Sequence, residues 1–205
     1  MVDDATLKLT IIAYLKTFIY LELITNQFML IIKSAEEIKN ELLSDTQAVK
    51  NFPKSLNFPF DPLYIDITTR INTREIASEC ILFDSLAACN ETKAFSDADY
   101  WIEGYTTEDI SQYWIFGQNG QGDLWLFDAD HHLYFYDHNK EQMSKENFVE
   151  LDLRFDQWLQ FADLNKQLDD IYEIEDFLSE EIKAEYKAKL SELSANLYSN
   201  YPFDI

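Results

Sequence analysis

The sequence predicts an α+β fold, a single domain whose central, mostly antiparallel sheet is flanked by N- and C-terminal helices. Three observations predict it. Apolar residues recur at helical spacing near both ends of the chain. Between them lie short alternating runs rich in aromatic and β-branched residues, separated by turns that contain Gly and Asp. These runs follow one another instead of alternating one for one with helices, which implies hairpins and an antiparallel sheet. The 205 residues suit one domain of generous size, and four Gly and four Pro leave little room for a flexible linker.

The N-terminal helical part spans 5–45. Leu7, Ile11, Leu15, Phe18, Ile19 and Leu23 recur at helical spacing, and Lys8, Lys16 and Glu22 interrupt the pattern. The segment Leu7 to Ile32 is interrupted by Lys16, Glu22, Asn26 and Gln27, so it reads as an internal helix or a dimer contact in preference to a membrane span. Ser34 and Glu37 form a capping-box pattern ahead of Ile38, Leu42 and Leu43. Three of the four prolines fall between Asn51 and Pro62, marking a non-helical apolar connector. Alternation then predicts strands at Tyr64–Thr69 and Cys80–Phe83, the latter followed by a short helix capped by Asp84 or Ser85. Tyr113–Phe116, Asp123–Phe127 and Leu133–Tyr136 read as a meander of hairpins, and Phe148–Leu153 as one further strand. Helical spacing returns with Phe155, Trp158, Leu159 and Ala162, and a last amphipathic helix carries Ile182, Tyr186, Leu190, Leu193 and Leu197.

The charge removes several functional classes. Thirty-eight acidic residues against 16 basic give a net charge of −22, and a domain so acidic repels phosphates, which excludes direct nucleic-acid binding. A hydrophobic content of 47% with 15% aromatics exceeds what intrinsic disorder tolerates. Cys80 and Cys89 form neither a disulfide framework nor a zinc motif, and Met1-Val2-Asp3-Asp4 lacks the positive region of a secretory signal. A cytoplasmic location without membrane attachment is the expectation.

Chemistry-bearing patterns are weak. Gly117-Gln118-Asn119-Gly120-Gln121-Gly122 precedes a strand, not a helix, so it reads as a hairpin turn with Gly at positive φ and not as a phosphate loop. Asp128, Asp130, His131, His132, Asp137 and His138 gather around one hairpin, which raises a metal-assisted hydrolase as the alternative reading. The same residues make an ordinary polar turn. No nucleophile–base pattern stands out, so no catalytic residue, cofactor or resident metal is expected.

The placement of charge is more informative than its total. Residues 96–160 carry 14 acids and 3 bases, against 13 and 9 in residues 1–95 and 11 and 4 in residues 161–205. Between Lys93 and Lys140 there is no Lys or Arg, yet the stretch holds Tyr100, Trp101, Tyr105, Tyr113, Trp114, Trp125, Tyr134 and Tyr136. Tyr and Trp supply rigid contacts with polar tips, and an acidic surround attracts a basic partner. The candidate contact surface is therefore Trp125, Tyr134 and Tyr136 with Asp123, Asp128, Asp130 and Asp137.

The run Tyr113–Asp128 followed by Leu133–His138, the segment Ile81–Leu86 and the later Phe155–Leu159 resemble the glycine-containing hairpin, the strand entering a short helix and the closing helix of the SUKH superfamily, named in part for a fungal cell-wall assembly regulator. The similarity covers 80–165. A SUKH-like core over 50–165 would place 166–205 as a helical extension. The family's opening Leu-Pro segment has only a loose counterpart in Phe52-Pro53-Lys54-Ser55-Leu56. The resemblance implies a domain without catalytic residues. For a bacterial member it implies an immunity protein that binds and neutralises a cognate toxin, often a nuclease. For relatives of the fungal type it implies an interaction scaffold. Oligomeric state is left open.

Overall fold

The computed structural model describes residues 29–45, 48–140, 142–200 and Phe203. The N-terminal apolar face between Leu7 and Leu23 lies outside the described residues. An antiparallel sheet of six strands forms the centre, in the spatial order of the sequence: β1 (Arg74–Ala77), β2 (Cys80–Leu82), β3 (Tyr113–Gln118), β4 (Leu124–Asp128), β5 (Leu133–Tyr136) and β6 (Phe148–Glu150). Helices α1 (Ala35–Leu42), α2 (Pro62–Thr68), α3 (Ser85–Ala94), α4 (Thr107–Ile110), α5 (Phe155–Glu175) and α6 (Glu180–Leu193) surround it. The α+β architecture with an antiparallel sheet is as the sequence predicts. Among the described residues no helix is long and apolar enough to cross a membrane.

Local chemistry explains most boundaries. Ser34 Oγ accepts from Glu37 N while Glu37 reaches back to Ser34 N, so the capping box starts α1 as expected. Asp84 Oδ1 accepts from Leu86 N and Ala87 N and starts α3. The turn between β3 and β4 places Gly122 at φ +91, the left-handed conformation that glycine adopts without penalty.

The strand expected at Tyr64–Thr69 is instead α2. Pro62 occupies the first helical position, and Asp61 Oδ1 accepts from Leu63 N at 2.7 Å, which together nucleate a helix. Tyr64, Ile67 and Thr68 then share its buried face, and this i, i+3, i+4 set outweighs the β-branched composition. Strand β1 was not anticipated, since Arg74-Glu75-Ile76-Ala77 is a short edge strand with little alternation.

The sheet is covered on both faces. On the first, Trp114, Phe116, Trp125 and Phe127 pack against Tyr64 of α2, Phe58 and Phe60 of the connector, and Phe155, Trp158 and Phe161 of α5. Trp114 Nε1 donates to the buried Tyr64 hydroxyl at 2.8 Å, and Trp125 Nε1 to Glu79 O at 2.8 Å. On the second face, α3 ties to β3 through Thr92, whose Oγ1 accepts from Ile115 N at 3.0 Å. Residues 95–112 continue that cover, with Trp101 packed on Tyr113 and Phe148. Helix α6 packs on α5, where the Tyr186 hydroxyl donates to Asn165 Oδ1 at 3.0 Å, so the C-terminal extension shares the core.

Candidate functional site

The seven residues of the expected contact surface do not form one surface. Trp125, Tyr134 and Tyr136 are 0%, 4% and 4% exposed, and Asp123 is 6% exposed. Their burial corrects the expectation, and the reason is topological. β4 and β5 lie inside a six-stranded sheet whose two faces are both covered, so alternation sends side chains into protein in either direction. Of the seven, Asp130 is exposed and Asp128 and Asp137 are half-buried.

The Asp/His cluster likewise divides between the two ends of the β4–β5 hairpin. At one end Asp128 is the hub of a turn. Its Oδ1 accepts from Asp130 N and His132 N, both at 2.9 Å, while its Oδ2 accepts the Tyr134 hydroxyl at 3.0 Å and lies 3.1 Å from His132 Nδ1. Burial opposes ionisation of Asp128, but the His132 amide and imidazole and the Tyr134 hydroxyl outweigh it and hold the carboxyl below its ordinary value. His131 takes a left-handed backbone, φ 68, to complete the turn. Beside it a cavity of about 440 Å³ is lined by His131, His132, Glu150, Asp152 and Arg154, which mix both signs of charge.

At the other end Asp123 organises two turns. Its Oδ1 accepts from His138 N at 3.0 Å and sits 2.5 Å from His138 Nδ1, and its Oδ2 accepts from Asn119 Nδ2 at 2.9 Å. Asp137 Oδ1 accepts the amide and side-chain nitrogen of Asn139. Asp123, Asp137 and His138 bring ligand-type atoms within 4.8 Å of one another, the one such trio among the described residues. The oxygens of Asp123 are already engaged in turn bonds, so a metal there would displace interactions that hold the hairpin.

A third arrangement lies on the second sheet face and was not singled out from sequence. Tyr105 and Tyr113 are half-buried, and both rings lie against Trp101 at 5.0 and 5.5 Å between centroids. A cavity of about 270 Å³ opens between them, lined also by Gly104, Asp109, Gln112 and Lys145. The register sets Tyr113 opposite Asp128. Burial first, then the neighbouring Tyr105, Asp128, Glu146 and Asp109, push the Tyr113 phenol up to about 12. Carboxylates thus lie near the Tyr113 ring, and Lys145 is the cationic residue of the cavity lining. Asp109 belongs to a capping box with Thr106, a Thr-x-x-Asp pattern that was readable in the sequence as a fixed carboxylate.

No protein-family model matches the chain, and comparison with curated proteins and with solved structures finds none similar to it.

Proposed function

We propose that the chain is a non-catalytic protein-binding domain, of the immunity type that its SUKH-like hairpin implies, which binds and neutralises a basic toxin domain in the cytoplasm. The carrying observation is the aromatic face around Tyr113, where Asp109, Asp128 and Glu146 lie close enough to oppose ionisation of that half-buried ring and Tyr105 lines the same cavity. Such a face suits a protein partner rich in Lys and Arg, including one whose own basic cleft holds nucleic acid. The partner surface passes from the buried Trp125, Tyr134 and Tyr136 to Tyr105 and Tyr113, with Asp128 retained. Asp130 lies in the same turn as Asp128.

Co-expression with the toxin domain encoded next to the gene tests the reading. Restored growth is the expected result, together with association that weakens as salt rises from low to physiological ionic strength. Unrelieved toxicity with every neighbouring candidate overturns it.

A further inference from the structure

We propose that the cavity between Tyr105 and Tyr113 receives the guanidinium of an arginine side chain from the protein partner. The inference rests on the reading above that the partner is basic, and it names the group that is recognised.

The residues lining this cavity offer two carbonyl-type oxygens and two phenol hydroxyls able to accept, with the Lys145 ammonium the charged donor beside them. Asp109 spends Oδ2 on the amide and hydroxyl of Thr106 and leaves Oδ1 without a partner among the described residues. Gln112 donates through Nε2 to Glu108 O and leaves Oε1 unpartnered there. The Tyr113 hydroxyl has no hydrogen-bond partner among the described residues either, and the Tyr105 hydroxyl accepts from Lys145 N at 2.7 Å. Spaced acceptors around one cavity call for a ligand with several donors in a plane. A guanidinium carries five N–H donors in a fixed fork, stacks on aromatic faces and is more weakly hydrated than an ammonium.

The walls are preformed. Both tyrosine rings are braced on Trp101, with interplanar tilts of 36° and 31°, and Trp101 is fixed by its Nε1 bond to Phe95 O at 2.7 Å. Gly104, at φ +109, has nothing within 4 Å of the position a Cβ would take, so the chain turns at the mouth without obstructing it. A cation over these rings gains from their negative faces as well as from Asp109. Asp109 is held in its charged form by its bonds to Thr106.

One feature opposes the guest. Lys145 lines the cavity and has no ion-pair partner among the described residues, so its ammonium competes with an incoming cation. Removing that charge therefore strengthens binding, whereas removing the Asp109 charge weakens it. A general loss of folding cannot produce both.

The test is a titration of the full-length, ¹⁵N-labelled chain with N-acetyl-arginine N-methylamide, followed by amide shifts. The lysine and citrulline counterparts serve as controls, citrulline being the neutral near-isostere. The arginine compound should shift Gly104, Asp109 and Gln112, the lysine compound should do so more weakly, and citrulline not at all. Asp109→Asn, which keeps an acceptor for the helix cap, should weaken arginine binding roughly tenfold, the scale of one charge-assisted hydrogen bond. Lys145→Gln should tighten it about twofold to fivefold. Equal shifts with lysine or citrulline, or no shifts at these residues, overturn the proposal. Titrating the same sample with the toxin domain separates the two readings. Binding of the toxin that leaves these amides unmoved and is unaffected by Asp109→Asn removes the arginine pocket and keeps the basic partner. A toxin that neither binds nor is neutralised removes the basic partner itself.

Discussion

The two faces of the sheet are built from the same alternating strands and end differently. The first is closed by regular helices, and its indole and phenyl rings interlock with α2 and α5 so that Trp114, Phe116, Trp125 and Trp158 are almost fully buried. Its polar atoms are few and mostly satisfied, Trp158 Nε1 being the buried side-chain nitrogen left without a partner among the described residues. The second face is closed by α3 and the irregular segment 95–112, and its aromatic residues are mostly tyrosines whose hydroxyls reach the rim. A helix lays a continuous apolar stripe on a sheet, whereas an irregular segment covers it patchily. Tyr105 and Tyr113 stay half-exposed where that cover ends. Accessibility of an aromatic residue here depends on what covers its face, and strand alternation alone does not decide it.

The strongest test of this contrast is truncation of one ring from each face. Trp125→Ala should cost about 3–5 kcal/mol, because it empties a closed core and removes the bond to Glu79 O. Tyr105→Ala should cost less than about 1.5 kcal/mol, since that ring already meets solvent on one side. Urea unfolding of both variants measures the difference, and equal losses would show that the two faces are equivalent.

The carboxylates offer a smaller version of the same comparison. Asp123 is buried and anchors His138 and Asn119, so Asp123→Ala should cost about 1–3 kcal/mol by removing those bonds from the hairpin. Asp130 is exposed on the turn, and Asp130→Ala should stay within about 0.5 kcal/mol. Thermal unfolding of the two variants reads both. A large loss at Asp130 would mean that the turn around Asp128 depends on it, which the hydrogen bonds do not suggest.

Much of this architecture was legible in the sequence because it is written in short-range chemistry. The Ser34–Glu37 box, the Asp84 cap, the glycine turn and the three aromatic strands each follow from residues within a few positions of one another. At helix α2 the sequence is ambiguous because Tyr64-Ile65-Asp66-Ile67-Thr68-Thr69 satisfies both periods, and the decisive signal, Asp61-Pro62, lies just ahead of it. The candidate site was harder to place. The region of acidic and aromatic excess, 96–160, was readable, but Trp125 on one sheet face and Tyr134 and Tyr136 on the other are buried because both faces are covered. Which residues close the second face is a long-range fact. Trp101 meets Phe148 and bridges to Met143 across about forty residues, and local patterning carries no trace of that contact.

The smallest expected effect concerns acid, and it falls at the open end of the hairpin. Asp128 is partly buried, which favours the neutral form, yet bonds from the His132 amide, the imidazole and the Tyr134 hydroxyl leave its pKa below the ordinary value. The unfolded chain binds that proton more readily, near pH 3.9 for a free Asp. Asp128 therefore contributes stability that is complete above that pH and is lost as pH falls through the lower folded value. Asp66, Asp84 and Asp109 are depressed as well and share the wild-type decline, so the informative quantity is the difference between wild type and Asp128→Asn. That difference should shrink below about pH 4 as the wild-type carboxylate is protonated. A difference that stays constant down to pH 2 would mean that Asp128 acts through the geometry of its turn and not through its charge.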